Sequence, residues 1–268
     1  MTDTPSYQHI AYTVHGPIAR LSHNRPDARN AESQLLLSEL DNALARAVAD
    51  DQVRVLIFDG KGDHFSAGHD LKEAAETRAD FTVEQRWAYE ELYYFECAMR
   101  IWDCPKPTIA QVHGACIAGG FMVANMCDLV LASDDAFFSD PVCQTLGACA
   151  VEVLVHPWVM GTRKAKEFLF TGRRMPAQEA FDIGMVNKVV PRADLESETL
   201  AMAKQIANAQ PFALKLVKRS LNRALDMQGM RNSLLAHFDT HQLSHVTEAF
   251  KTARKDGLAS AIKRGKAQ

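Results

Sequence analysis

The chain has 268 residues, 47% hydrophobic and 24% charged, which suits one large globular core with a terminal addition. A net charge of -3 and a pI near 6.4 exclude the electrostatic footprint of a nucleic-acid or acidic-membrane binder. The longest apolar stretch, Gly114 to Ala124, is too short to span a bilayer as a helix, and Met1 to Tyr7 is polar, so the sequence predicts a soluble, cytoplasmic protein without a secretory signal.

Ile10–His15 and Ile18–Ser22 read as two strands split by the turn signal Gly16-Pro17. After the loop Asn24 to Asp27, Leu36, Leu37, Leu40, Ala43, Leu44, Ala47 and Val48 recur at helical spacing. Asp50-Asp51 closes that helix, and Val53–Phe58 is a short apolar strand. The strand–helix–strand order predicts parallel pairing under helical cover. Asp59 to Lys72 is a glycine-bearing loop. A long helix is predicted from about Val83 to Ile101, stopped by Pro105 and Pro107, then a strand over Thr108–Val112. His113 to Gly120 is a strand-to-helix turn, its helix ends near Met126, and Leu129–Ala132 is another strand. Helices are then predicted over Arg163–Phe170, Ala177–Phe181, Leu195–Ala209, Phe212–Leu225 and in the tail. A boundary near Asp194 divides a core, 1–194, from a C-terminal helical region, 195–268, of the kind that serves oligomer contacts.

Six cysteines form no CxxC pair and have no metal-ligand spacing with histidine, so reduced thiols and no metal site are expected. Dinucleotide, phosphate-loop and nucleophile-elbow motifs are absent. Two turns are informative instead: Ser66-Ala67-Gly68-His69-Asp70 and Ala118-Gly119-Gly120. Each follows a predicted strand and opens a helix, where unpaired N–H groups favour negative charge. Two such turns converging would make an oxyanion hole, but periodicity alone does not bring them together.

Asn-Arg-Pro-Asp-Ala-Arg-Asn-Ala (24–31), Phe-Ser-Ala-Gly-His-Asp-Leu-Lys-Glu (65–73), Lys-Pro-Thr-Ile-Ala-Gln-Val-His-Gly (106–114), Ala-Gly-Gly (118–120), Met-Cys-Asp-Leu (126–129), Leu-Phe-Thr-Gly (169–172) and the segment 180–191 resemble the enoyl-CoA hydratase/isomerase, or crotonase, superfamily. The likeness runs from about residue 8 to residue 265. It implies an α/β spiral of β-β-α turns with C-terminal helices, assembled as a homotrimer or a dimer of trimers. It also implies an acyl-CoA substrate from fatty acid metabolism, with no cofactor beyond the CoA moiety. By position, it assigns the oxyanion-hole amides to His69 and Gly119. It sets Arg25, Ala28, Ala67, Asp70, Leu71 and Lys72 against the CoA portion, with Arg25, Lys72 or the basic tail (Lys251, Arg254, Lys255, Lys263, Arg264, Lys266) near its phosphates. A similar Ser-Ala-Gly-His-Asp run occurs in methylmalonyl-CoA decarboxylases of the superfamily, so it does not single out hydratases.

The chain departs from the hydratase pattern where the acids should be. The first glutamate position holds Met122, and the second falls on Val142 or Cys143 according to the anchor chosen. Hydration needs one group to deprotonate water and another to supply the α-proton. Methionine and valine do neither. Glu152 and Asp140 are the nearby carboxylates. Glu152 reads equally as a catalytic acid or as a structural pair at a subunit contact, while Asp140, before Pro141, reads first as a turn cap. Cys143 and Cys149 lack a neighbour to lower the thiol pKa, His64 and His156 read as surface or packing residues, and the His69 imidazole could hydrogen-bond a substrate carboxylate. Two functions remain: an enolate-stabilising enzyme (decarboxylation, isomerisation, hydrolysis or residual hydration) or a non-catalytic acyl-CoA-binding relative.

Overall fold

The computed structural model describes residues 6–255; Lys263, Arg264 and Lys266 lie outside them. Strands β1 (Ile10–His15) and β2 (Ile18–His23) pair antiparallel, and helix α1 (Gln34–Ala49) crosses to β3 (Val55–Gly60), parallel to β2. β3 begins two residues later than its apolar run because Gln52 N–H bonds the Asp50 carboxylate and Val53 N–H the Asp50 carbonyl, closing a turn.

Helix α2 (Leu71–Thr77) has no buried residue, so no apolar stripe announces it; the Asp70 carboxylate caps it by accepting from Glu73 N–H. The long predicted helix is α3 (Val83–Glu90) and α4 (Glu96–Trp102) joined by a π turn, Glu91–Phe95. Such turns interrupt a helix at little cost and are frequent at functional sites. This one buries Tyr94 and Phe95.

Next come β4 (Thr108–Val112), β5 (Ala115–Ile117), α5 (Gly119–Met126) and β6 (Leu129–Ser133). β7 (Phe137–Ser139), α6 (Val142–Thr145), α7 (His156–Met160), α8 (Thr162–Thr171), β8 (Met175–Pro176), α9 (Ala177–Asp182) and β9 (Lys188–Val190) follow. The main sheet runs β1-β2-β3-β4-β6-β9, parallel from β2 onward; β5-β7-β8 form a second sheet.

Both faces of the main sheet are covered over β3, β4 and β6, which is why those strands are nearly continuous apolar runs rather than alternating ones. Leu56 and Phe58 face the principal core with α1 and α5, whereas Val55 and Ile57 face the other way. That second face is closed by α10 (Leu195–Ala207) through Leu195, Ala203 and Ala207. Each large aliphatic side chain so buried contributes about 1.5–3 kcal/mol. After α11 (Pro211–Met227), α12 (Met230–Ser244) returns to the principal core through Met230, Leu234 and Phe238, and α13 (Glu248–Lys255) follows. The helices beyond residue 194 thus complete the core as well as extending it. Among the described residues no helix is long and apolar enough to cross a membrane.

Candidate functional site

Two loops lie side by side at the carboxyl ends of β2 and β3. Arg29 and Asn30 turn the first with positive φ angles of 54° and 55°, conformations asparagine tolerates better than most residues. The Asn30 side-chain amide donates to the carbonyls of Lys61 and His64, and its oxygen accepts from Arg25 N–H. Ala67 N–H donates to Arg29 O at 2.9 Å, Glu32 N–H to Gly68 O at 2.8 Å, and Asp70 N–H to Glu32 O at 3.1 Å. Arg25 pairs with Asp70 at 2.8 Å and donates to Ala31 O. Ala28 and Leu71 are half-buried and Lys72 exposed beside them. The residues expected to meet CoA therefore form one rim, with Arg25 and Asp70 already committed to each other.

The second turn seats this rim on α5. Gly68 has φ +82°, and a Cβ there would come 2.6 Å from Ile117 O and 3.1 Å from Gly119 N. Ala118 is held at φ 49°, ψ -109°, a strained conformation for a residue with a side chain. Its carbonyl accepts from Met122 N–H and its own amide donates to Ser139 O. The amides of His69 and Gly119 donate to no acceptor among the described residues. A Cβ on Gly119 would sit 1.9 Å from Glu32 Oε2 and 2.8 Å from His69 Nδ1. His69 and Gly119 are therefore neighbours.

Around them lies a buried network of acids and histidines. His69 Nε2 is 2.8 Å from Glu152 Oε1, its Nδ1 is 3.8 Å from Glu32 Oε2, and its ring stacks on Tyr94 at 3.8 Å and 8°. Burial alone would lower the His69 pKa. The Glu152 carboxylate, by attraction and hydrogen bond, together with Glu32 and Glu90, outweighs that and pushes it up to about 9. Burial likewise opposes the ionised form of Glu152, yet His69 and His241 hold it below the usual carboxylate range.

Glu32 goes the other way. It is fully buried, its Oε2 has no hydrogen-bond partner among the described residues, and Ser66 Oγ reaches Oε1 only at 3.4 Å. Burial pushes its pKa up to about 7, more than His69 pulls it down.

Farther in, Glu90 Oε2 accepts from Gln242 Nε2 at 2.7 Å and lies 3.4 Å from both His241 Nε2 and His245 Nδ1. Arg86 reaches Glu90 Oε1 at 3.3 Å. Glu90, His241 and His245 place donor atoms of metal-binding type within 4.8 Å of one another. The carboxylate, however, is already answered by Gln242 and Arg86, so the group is read as an ion-pair network. His241 Nδ1 and His237 Nε2 bond the carbonyls of Ala150 and Val151, which fixes the segment carrying Glu152.

Asp140 does not join the site. Its carboxylate accepts from Val142 and Val151 N–H, each at 3.2 Å, and lies 3.3 Å from His156 Nε2. Burial raises its pKa less than those partners lower it. It is a scaffold residue that anchors the amide preceding Glu152. His156 is not at the surface: it is fully buried and stacked on Phe121 at 4.5 Å. His64 Nδ1 accepts from Ala115 N–H. Met122 is buried on α5, Cys143 is exposed, and burial raises the Cys149 thiol. Lys251 pairs with Glu248, and Arg254 donates to the carbonyls of Arg78 and Ala79.

Sequence reasoning missed Glu32, Glu90, Tyr94 and His241. Glu32 follows the 24–31 motif directly and reads as an ordinary acid ahead of a helix. The spacing His237, His241, His245, two on one face of α12 and the third at its C-cap, is the signal the sequence offers for His241.

The chain is similar to known proteins along nearly its whole length. The family model for enoyl-CoA hydratase/isomerase matches residues 13–266. EchA13 of Mycobacterium tuberculosis, an enoyl-CoA hydratase by name, is 42% identical over 259 residues, covering 90% of this chain and 81% of that protein. The crystal structure of an enoyl-CoA hydratase/isomerase from Xanthobacter autotrophicus Py2 superposes with a TM-score of 0.91 at 39% identity over 98% of both chains. A Mycobacterium smegmatis structure titled as an enoyl-CoA hydratase gives 0.84 at 46% identity, covering 88% of this chain and 94% of that one. With the fold, the paired turns and this breadth of match in hand, the chain belongs to the enoyl-CoA hydratase/isomerase family.

Proposed function

We propose that the protein is an enzyme that binds an acyl-CoA thioester, polarises its carbonyl through the amides of His69 and Gly119, and stabilises the resulting enolate. The observation that carries this reading is the pair of unengaged amides on neighbouring turns, one at the start of α5. Donors already in place where charge develops cost no reorganisation, and each such donor is worth about 100- to 1,000-fold in rate. Glu152, buried against His69, is the carboxylate of the site's acid–base machinery in place of the family's two glutamates.

Met122, on α5 where the family resemblance expects a glutamate, favours one second reading: a relative that binds acyl-CoA without turning it over. The two separate in one experiment. Acyl-, enoyl- and malonyl-type CoA thioesters are incubated with the protein and the products followed by mass spectrometry. Turnover of at least one, reduced about 100-fold or more by Glu152→Gln with CoA binding unchanged, supports the enzyme. Binding without turnover across the panel supports the second reading. Crotonyl-CoA hydration is expected to be feeble; a rate typical of good hydratases contradicts the reassigned acid.

The trimer or paired trimer is likewise a proposal. It is supported by the row Phe212, Leu216, Val217 and Leu221, all exposed on α11.

A further inference from the structure

The oxyanion reading uses the main chain of His69 and leaves its imidazole without a task. The ring is fixed on three sides: Tyr94 stacks beneath it, Glu152 holds Nε2 at 2.8 Å, and Glu32 Oε2 stands 3.8 Å from Nδ1. Nδ1 itself has no hydrogen-bond partner among the described residues. A methyl built on Gly119 would lie 2.8 Å from it, so this nitrogen overhangs the residue whose amide receives the thioester oxygen. The His69 side chain is 22% exposed, whereas those of Glu152 and Glu32 are 2% and 0%. Of His69, Glu152 and Glu32, only the imidazole reaches open space.

We propose that His69 Nδ1 is the atom that exchanges the proton at the α-carbon of the bound thioester, with Glu152 as a positioning residue that fixes Nε2. The inference rests on the enolate reading above. In one direction the α C–H bond breaks, its electron pair enters the enolate held by the two amides, and an N–H bond forms at Nδ1. In the other, the Nδ1–H bond breaks, the enolate's pair forms the new C–H bond, and the thioester carbonyl is restored. The logic is that of any histidine oriented by a carboxylate on its far nitrogen.

Several titratable groups face the ring. Glu152 comes from the segment before α7, Glu32 from the loop before α1, Tyr94 from the π turn, Glu90 from α3 and His241 from α12. The carboxylates favour the imidazolium, so the neutral imidazole that abstracts a proton gains population as pH rises toward 9.

The test is exchange of the α-protons of butyryl-CoA in deuterated water, read by mass spectrometry, beside a direct binding measurement. His69→Gln keeps the backbone donor and removes the imidazole. It is expected to lose about 100-fold or more of the exchange while its Kd stays within about threefold. Wild-type exchange is expected to climb with pH up to about 9. In Glu152→Gln the climb is displaced to lower pH, because a neutral amide no longer holds the proton on the ring; a purely structural Glu152 would leave that profile in place. Exchange at the wild-type rate in His69→Gln, or Kd raised beyond about tenfold, overturns the proposal while leaving the enolate reading standing. Binding of butyryl-CoA with no exchange by the wild type sinks the enolate reading itself. Should His69→Gln fail to fold by circular dichroism, the wild-type imidazole ¹⁵N resonances decide: the ligand is expected to shift Nδ1 and leave Nε2, and the opposite pattern contradicts the assignment.

Discussion

Gly119→Ala is expected to abolish turnover of whichever thioester the enzyme accepts and to weaken the fold at the same time. The added methyl would stand 1.9 Å from Glu32 Oε2, far inside contact distance, and Glu32 is fully buried. Overpacking of this kind costs about 1–3 kcal/mol. The displaced turn also misaims the Gly119 amide, so kcat/KM should fall by about 100- to 1,000-fold. Steady-state kinetics and urea melts check the two effects. A second substitution, Glu32→Ala, should recover part of the stability without recovering turnover, because it removes the 1.9 Å contact, leaves the 2.8 Å approach to His69 Nδ1 and restores no chemistry. Wild-type kcat/KM in Gly119→Ala would show that this amide does not meet the substrate.

Glu32→Gln is expected to stabilise the protein in alkaline solution and scarcely at all in acid. In the fold this carboxyl has its pKa raised from 4.5 to about 7, so it keeps a proton that the unfolded chain has released. The stability associated with that retained proton is fully present below about pH 4.5 and is lost as pH rises through 7. Glutamine has nothing to lose over the same interval. The difference in unfolding free energy between variant and wild type should therefore grow from near zero at about pH 4 to a ceiling of about 3 kcal/mol at about pH 8.5. Urea unfolding of both proteins at the two pH values measures it. A difference independent of pH would mean that Glu32 is ionised throughout, or paired with a group other than His69.

What the sequence made legible follows from how many residues each feature engages. The first two strands, α1 and β4 are announced by several apolar residues at one period, and the structure shows them within a residue or two. β7, β8 and β9 are two or three residues long, too short for any period to register. α2 buries nothing, so it leaves no stripe. The π turn is a matter of backbone register, which side-chain patterning does not record.

The site divides along the same line. The turns at 66–70 and 118–120 are local motifs and could be read directly. Their adjacency depends on contacts such as Gly68 against Ile117, about 50 residues apart, and only the family resemblance could anticipate it. The network behind them is legible only in three dimensions. Glu32, Glu90, Glu152 and His241 come from four separate segments, and of these the sequence singles out only Glu152. Asp140 shows the converse: a carboxylate in the right stretch of sequence that the fold spends on two amides and a buried histidine.

The proposed function requires that main-chain hydrogens of residues 69 and 119 grip the substrate's thioester oxygen. The carbonyl ¹³C resonance of an isotopically labelled acyl-CoA reports that grip directly, since hydrogen bonding to the oxygen draws electron density from the carbon. Bound to the wild-type protein, the resonance is expected to move downfield from its position in free solution, and to move markedly less in Gly119→Ala. A ligand that binds with its carbonyl resonance unmoved would contradict the account.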